Sequence, residues 1–353
     1  MSILSFKEKS YLGVDLGRGS IKVVEMKNEK GKPQLVTYGY IEKGIDFIKD
    51  DSEDKIKQAA FYLKEVCQKS RVATSQVIAS LPGFSVFSAV INLPVMPHKE
   101  LVSAIYWEAK KFIPLPIEEV VLDWKILENL DSHDVQKNGN NKKNFKILLT
   151  AASRKLVKKY LELFKLANLE LMSLETEVFA LTRSLIGYDP STIMICDIGA
   201  KVSDVIIVEN SIPVLNRSFN IGGESITKTI ASNLNIDFKR AEQFKVDIGL
   251  NSQGDGVIPK VIEDILTSII NEINYTIELY QSQGAKKIEK IILTGGSAFL
   301  PNLSSYFSEI TNLKTLIGDP WSRVIYPLEL KPVLEELGPR LAVAIGLAMR
   351  EVV

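Results

Sequence analysis

The chain has 353 residues, of which 46 % are hydrophobic and 24 % are charged, as expected for one large bilobed globular protein or two domains. Lys and Arg together number 43, and so do Asp and Glu, so the basic surplus that a nucleic-acid partner requires is missing. The two cysteines, neither in a CxxC pair, indicate buried thiols of a reducing compartment. With only two histidines, a Ser-His-Asp hydrolase or a histidine metal cluster is hard to build.

The sequence also bears on membrane association. The opening MSILSFKEKS is too short and too polar for a signal peptide, and no run of about 20 apolar residues predicts a membrane span. No amphipathic tail follows the last predicted helix. We therefore expect a cytoplasmic protein that reaches a membrane only through a partner.

The predicted elements alternate between strands and helices, which indicates the α/β class. Within them, residues 84–153 predict a strand, a helix ended by prolines, and two further strands, which together form a small inserted module. The polar stretch at 131–144 predicts a mobile hairpin loop in that module. Predicted strands lie at 11–16, 20–26, 35–41, 78–82, 84–95, 119–130, 145–153 and 287–296, with a strand-turn-strand pair over 192–208. Predicted helices lie at 52–69, 96–114, 153–167, 174–186, 223–234, 237–248, 257–283 and 339–351.

Two stretches repeat one local pattern. Residues 13–25, GVDLGRGSIKVVE, and residues 195–209, ICDIGAKVSDVIIVE, each end a strand in Asp-x-Gly and continue past a serine into a second strand. Such a turn can direct backbone N–H groups towards an anion, and Lys22 adds a charge. Asp15 and Asp197 would repel a bare phosphate, which favours a Mg²⁺ ion with its water shell between them. One copy alone is usually a plain hairpin, whereas two facing copies would clamp a triphosphate.

A third glycine-rich element is IILTGGSAFLPNL, at 291–303. It runs from an apolar strand through Gly295, Gly296 and Ser297 into a helix, so that backbone can approach a flat ligand, unless it is only a tight turn. The first Asp-x-Gly turn lacks the third glycine of a dinucleotide fingerprint, and the stretch at 222–229 lacks the glycine before the lysine of a P-loop. Neither of those two nucleotide folds is therefore supported.

The turns DLGRGS and DIGAKVSD, the element LTGGSAFLPNL and the closing AVAIGLA resemble the ordered sites of the actin/Hsp70/hexokinase ATPase superfamily. The inserted strand-helix-strand-strand module is similar to that of the FtsA-like branch. The stretches SLPGFSVF, HKELVSAIYWEAKKFIPLPIEEVVLDWKIL and TEVFALTRSL resemble the PilM family, cytoplasmic actin-like ATPases of type IV pilus machines. The resemblance implies a bilobed actin-like fold and, as cofactors, ATP and Mg²⁺.

The resemblance also implies a nucleotide site. Asp15 and Asp197 would hold Mg²⁺ through water and would serve catalysis. Glu242 and Lys245, on one helix face, would touch ribose and adenine, unless they form only a solvated ion pair. The phosphate loops would comprise Gly17, Arg18, Gly19, Ser20 and Lys22 in the first turn and Gly199, Ala200, Lys201 and Ser203 in the second. The adenosine side would comprise Gly222, Gly223, Glu242, Lys245, Gly295, Gly296 and Ser297.

The catalytic carboxylate is less sharply defined by the sequence. Superfamily members position the attacking water with an acidic or amide side chain between the lobes, and Glu177 lies near the matching place. Glu175 is the alternative, and either residue also suits a helix start because of the helix dipole. Phosphoryl transfer depends mainly on placement and charge neutralisation, so we expect any Mg²⁺-dependent hydrolysis to be slow.

The same resemblance divides the chain into four subdomains. The expected boundaries are 1–84 with 169–190 and 339–353 for subdomain 1A, 85–168 for the inserted subdomain 1C, 191–222 with 285–338 for subdomain 2A, and 223–284 for subdomain 2B.

The implied partner is the N-terminal cytoplasmic peptide of a PilN-like inner-membrane protein, bound between the inserted module and the first lobe, with nucleotide closing the lobes. Other pilus platform proteins and self-association are further options. Tyr106, Trp107, Phe112 and Ile113 in the module are either core or contact residues. The alternative functions are an FtsA-like division filament, disfavoured by the missing amphipathic tail, and a small-molecule kinase.

Overall fold

The computed structural model describes residues 9–48, 50, 52–129, 144–251, 257–282 and 286–352. They belong to two compact units, one formed by Pro82–Leu163 and the other by the chain on both sides of it. Within the described ranges, no helix is both long and apolar enough to cross a bilayer. The loop predicted at 131–144 lies almost entirely outside these ranges.

Each half of the larger unit opens with three antiparallel strands. The strands are β1 Ser10–Leu16, β2 Ile21–Glu29, β3 Lys32–Ile41, β4 Gln76–Leu81, β5 Val86–Pro94, β6 Val120–Asn129, β7 Asn144–Ser153, β8 Glu170–Thr176, β9 Ile193–Ile198, β10 Ser203–Glu209, β11 Ile212–Phe219, β12 Lys290–Thr294 and β13 Lys314–Ile317. The helices are α1 Glu53–Lys69, α2 His98–Phe112, α3 Arg154–Leu166, α4 Glu177–Leu181, α5 Gly223–Leu234, α6 Phe238–Asp247, α7 Val257–Gln281, α8 Leu303–Thr311 and α9 Lys331–Met349.

The larger unit contains two five-stranded sheets with the same topology, β3-β2-β1-β4-β8 and β11-β10-β9-β12-β13. In each sheet the central strand, β1 or β9, pairs antiparallel with the next strand of the chain and parallel with a later one. Both central strands are nearly continuous apolar runs, which is typical of strands covered on both faces. The short sequence repeat is therefore part of a repeat of whole sheets.

Helix α9 packs tightly against the first sheet and against α4. A Cβ atom on Gly13 of β1 would lie 2.0 Å from Ala344 O, and one on Gly346 would lie 1.9 Å from Ala180 O. Only glycine permits such close backbone approach. The same helix contributes side chains to a core shared with strands of the second sheet, namely Ala342, Val343 and Leu347.

The predicted start of the closing helix, at 339, is wrong. Helix α9 begins at Lys331, with Pro332 in its first turn, and runs through Pro339. A proline inside a helix lacks the N–H that would donate to the carbonyl one turn earlier. The Pro339 carbonyl itself accepts from Gly295 N and from Thr294 Oγ1, both at 3.0 Å, so the helix contacts the end of β12 at this residue. From the sequence alone, the proline indicates a helix start.

The helix predicted at 174–186 is also only partly correct. Residues up to Thr176 form β8, which pairs parallel with β4, and the helix begins at Glu177. It continues through a π-helical turn to Ile186. The edge strand was not predicted because ELMSLET alternates only weakly and its pairing partner β4 is distant in sequence.

The smaller unit confirms the predicted strand-helix-strand-strand order. Its antiparallel sheet, β5-β7-β6, accompanies α2, which buries Leu101, Ile105 and Ala109. Trp107 is 65 % exposed, whereas Ile113 is buried. The exposed aromatic residues of the predicted set, which do not serve as core, are Tyr106, Trp107 and Phe112.

Candidate functional site

The first turn is formed by β1 and β2, whose register places Asp15 directly opposite Lys22. Opposite residues of an antiparallel pair project from the same face, and Lys22 Nζ lies 2.7 Å from Asp15 Oδ2. Ser80 on β4 donates a hydrogen bond to Asp15 Oδ1 at 3.2 Å. Because Asp15 is only 3 % exposed and both its oxygens are engaged, its carboxylate has a fixed orientation.

The second turn, between β9 and β10, has the same register but a different charge. Asp204 faces Asp197 at the place where Lys22 faces Asp15. Asp204 is buried and accepts a hydrogen bond from the Ser218 hydroxyl. It is absent from the predicted site, although aligning the two repeats would have placed it there.

The other residues of the second turn have protein contacts of their own. Gly199 N donates to Val202 O at 3.0 Å, which closes the turn. Ser203 is buried and its hydroxyl donates to Ile221 O at 2.6 Å, so this hydroxyl braces the segment before α5. The Lys201 side chain is 41 % exposed, in keeping with a charge that could meet a ligand.

The tips of the two turns meet. A Cβ atom on Gly19 would lie 2.4 Å from Ala200 Cβ. Arg18 Nη2 lies 2.9 Å from Asp46 Oδ2, and Arg18 Nη1 donates to Asn220 Oδ1 at 3.2 Å. The guanidinium, predicted as a phosphate ligand, thus ties the first turn to the segment that follows the second sheet's edge strand β11.

The carboxyl groups at the turns have strongly shifted pKa values. Burial raises the pKa of Asp197 to about 7, and the charges of Asp204 and Asp15 add to this rise. Burial also raises the pKa of Asp204 to about 6 and that of the partly exposed Glu177 well above its ordinary value. Burial disfavours the Lys22 charge, but Asp15 outweighs this and raises the Lys22 pKa. One ammonium faces several carboxyls, so added positive charge would stabilise the site.

The two candidate catalytic glutamates have different surroundings. Glu175, on β8, accepts two hydrogen bonds from Arg183, at 2.9 and 2.6 Å, and Arg183 also donates to Gly346 O at 2.6 Å. Glu177 is the first residue of α4 and lies within the electrostatic reach of Asp15 and the second turn's carboxyls. Glu175 is therefore part of a structural ion pair with Arg183, whereas the Glu177 carboxyl interacts electrostatically with the carboxyls of the two turns.

The predicted adenosine residues of α5, α6 and the glycine loop also cluster. Lys245 Nζ lies 2.8 Å from Glu242 Oε2 and donates to Thr227 Oγ1 at 3.0 Å and Gly223 O at 3.2 Å. A Cβ atom on Gly223 would lie 2.4 Å from Ser297 Oγ. Lys245 is only 8 % exposed, so the pair is more than a solvated surface contact. Gly222 lies against the second turn, because a Cβ atom there would lie 2.6 Å from Gly199 O, and Gly223 N donates to the same oxygen at 2.9 Å.

The glycine loop connects this cluster to the second turn. Gly295 has φ = +88°, and a Cβ atom there would lie 2.3 Å from Asp197 Oδ1. At Gly296, by contrast, a Cβ atom would meet its nearest protein atom, Arg340 Nε, only at 3.9 Å. Arg340, which the sequence analysis did not mark, is held by Glu42 at 2.7 Å. Gly296 therefore presents open backbone next to Gly295, as a cradle for a flat ligand requires.

The donors at the turns fit Mg²⁺, which prefers carboxylate and water oxygens. In the part of the chain that the structure describes, no three His, Cys, Asp or Glu side chains group closely enough to hold a metal. A magnesium ion at the turns would need water and phosphate oxygens to complete its shell.

Together, the duplicated sheets, the apposed Asp-x-Gly turns, the glycine loop and the inserted three-stranded unit define an actin-like protein with an FtsA-like insertion. A sequence model of the family "Type IV pilus assembly protein PilM" matches residues 13–352. The chain belongs to this family.

Solved structures agree with this fold. The chain is similar to a "PilM-PilN type IV pilus biogenesis complex" structure, with 26 % identity, 97 % of this chain and 98 % of that chain covered, and a TM-score of 0.83. It is also similar to ethanolamine utilization protein EutJ from Carboxydothermus hydrogenoformans, with 16 % identity, coverages of 96 % and 89 %, and a TM-score of 0.59. For MreB5 of Spiroplasma citri bound to AMPPNP the identity is 15 %, the coverages are 96 % and 94 %, and the TM-score is 0.53. These likenesses confirm the predicted bilobed actin-like fold.

Proposed function

We propose that this chain is an ATP-binding assembly protein of the type IV pilus inner-membrane platform. It binds the N-terminal cytoplasmic peptide of a PilN-like membrane protein, and nucleotide controls this binding by closing the two lobes. Family membership supports the assembly role, and the similarity to a structure named as a PilM-PilN complex supports the partner. The chain is cytoplasmic and reaches the inner membrane through that partner.

The observation that carries the nucleotide proposal is the meeting of the two turns beside the open backbone of Gly296. Asp15 and Asp197 would hold Mg²⁺ through water, and the ion would neutralise charge on the phosphates when bound. Backbone N–H groups of both turns and the Lys22 ammonium bind phosphate oxygens. Glu242 and the glycine loop contact the nucleoside.

Glu177 is the residue that positions and deprotonates water if the chain hydrolyses ATP. Burial and the charges of the aspartates at the turns raise the pKa of Glu177, which makes its ionised form a stronger proton acceptor. Positive charge between the turns would lower that pKa and favour the ionised form.

The partner proposal is tested with a fluorescent synthetic peptide from the N-terminus of a PilN-like protein, with a scrambled peptide as control. We expect specific binding whose affinity changes by about fivefold or more when Mg-ATP is added. Absence of binding both with and without Mg-ATP would overturn the pilus role. In that case, ATP-dependent sedimentation would indicate an FtsA-like filament, and acceptor-dependent ADP release would indicate a kinase.

A further inference from the structure

A basic pocket lies beside the first turn, apart from the predicted adenosine side. Its cavity volume is about 840 Å³, and lysines from three segments line it: Lys43 from the segment after β3, Lys55 from α1, and Lys201 from the second turn. Lys55 lies in the first turn of α1, where the helix dipole adds partial positive charge.

The charges of this pocket are only partly compensated. Lys43 Nζ lies 4.9 Å from the centre of the Tyr62 ring, which also lines the pocket, and its charge acts on the Glu65 carboxylate. Among the described residues Lys43 and Lys55 form no ion pair, and Lys201 Nζ lies 3.9 Å from Glu224 Oε2. The acidic wall residue Asp46 is neutralised by Arg18 at 2.9 Å. Asp50 also borders the pocket, so the lining charge is positive but not extreme.

The pocket adjoins the phosphate side of the candidate site. A Cβ atom on Gly44, in its wall, would lie 2.2 Å from the Arg18 carbonyl and 2.4 Å from Gly19 N, so the wall rests directly on the first turn. Lys201 belongs both to the pocket and to the second turn. A phosphate group at the turns would therefore have a lysine-lined cavity next to it.

We propose that this pocket is a second anion site, which binds phosphate groups that come from a nucleotide at the adjacent turns. This inference rests on the proposed nucleotide function. The phosphate has two possible sources: inorganic phosphate after its release, or the end of the bound triphosphate itself. Lysine ammonium groups suit both because they act as point charges with several donors.

The test is a calorimetric titration with inorganic phosphate at constant ionic strength, with and without saturating ADP. The variant is Lys43→Ala/Lys55→Ala, which leaves both turns unchanged. The control is Lys57→Ala, because Lys57 lies on the same helix, outside the pocket lining, and pairs with Glu53 at 3.2 Å. We expect the double variant to bind phosphate about tenfold more weakly and the control to bind it like the wild type.

The two sources give different results. If phosphate still binds when ADP is bound, the pocket takes inorganic phosphate after its release. If only ATP displaces the phosphate, and the double variant also binds ATP more weakly, the pocket takes the end of the bound triphosphate. Nucleotide binding without any effect of the double variant on phosphate or ATP affinity would overturn the pocket alone. Phosphate binding to the pocket in a chain that binds no nucleotide would overturn the proposed nucleotide function instead.

Discussion

Lys22 and Asp204 occupy equivalent positions in the two duplicated turns but carry opposite charges. Lys22 compensates Asp15 at 2.7 Å, whereas Asp204 faces Asp197 and adds negative charge to it. The two halves of the site are therefore electrically unlike. The first turn is close to neutral by itself, whereas the second brings two carboxyl groups face to face.

The acidic second turn makes stability depend on pH. A carboxyl group whose pKa is raised by folding stabilises the fold at low pH, and this contribution is lost as the pH rises through the folded-state pKa. Asp197, with a pKa of about 7 against an ordinary 3.8, should make the chain roughly 1–3 kcal/mol less stable at pH 8 than at pH 5. Asp204 and Glu177 act in the same direction. Urea unfolding in EDTA at both pH values measures the difference.

The matched variant is Asp197→Asn, whose amide does not titrate. Its stability should fall less between pH 5 and pH 8 than that of the wild type, and at pH 8 it should exceed the wild type. An unchanged pH dependence in this variant would contradict the assignment to Asp197.

Magnesium should act through both aspartates. Asp15→Ala and Asp197→Ala should each weaken ATP binding about tenfold or more in Mg²⁺, with a smaller effect in EDTA, because the water-bridged ion loses its carboxylate. Titration of a fluorescent ATP analogue under both conditions measures this. Asp189→Ala is the control, since Asp189 precedes β9, opposite to the Asp197 end, and pairs with Lys290 at 2.8 Å. Equal losses in Mg²⁺ and in EDTA would argue against the metal role.

Substitution of the two neighbouring glutamates should have different effects, one on ATP hydrolysis and the other on the free energy of unfolding. Glu177→Gln should abolish any ATP hydrolysis while the chain still folds and binds ATP, because the amide cannot accept a proton. Glu175→Gln should lower the free energy of unfolding by about 1–3 kcal/mol, because it disrupts a charged, partly buried hydrogen-bonded pair with Arg183. Phosphate release and urea unfolding are measured on both variants. Retained hydrolysis in Glu177→Gln would exclude it as the base.

The glycine loop offers a test of ligand position. Gly296→Ala should leave the unfolding free energy nearly unchanged, since its new methyl group meets protein only at 3.9 Å, but it should weaken ATP binding several-fold by filling the cradle. Gly295→Ala should destabilise the fold itself, because of its φ of +88° and the 2.3 Å approach to Asp197 Oδ1. Unchanged ATP affinity in Gly296→Ala would place the nucleotide elsewhere.

Local pattern was enough to predict much of this molecule. The two Asp-x-Gly turns, the amphipathic α1 and the inserted strand-helix-strand-strand order follow from periodicity and turn chemistry that act over a few residues. The pairing of Glu242 with Lys245 likewise follows from helical spacing.

What the sequence did not predict depends on distant partners. The edge strand β8 exists because β4 pairs with it, and α9 extends through Pro339, whose carbonyl accepts hydrogen bonds from Gly295 and Thr294 in a distant part of the sequence. The partners of Arg18 lie in two segments far along the chain. The role of Asp204 would have been predictable, since it needs only the alignment of the two repeats.

Helix α9 has a mechanical consequence. Pro339 has no N–H to donate to the carbonyl one turn earlier, so bending is easiest there, while the glycine contacts at Gly13 and Gly346 clamp the later turns to the first sheet. The Pro339 carbonyl also anchors Gly295, beside the second turn. Rotation of the glycine loop would thus be transmitted to β1 through α9, a rigid helix that bends only at Pro339. The two lobes could then move together without a flexible linker.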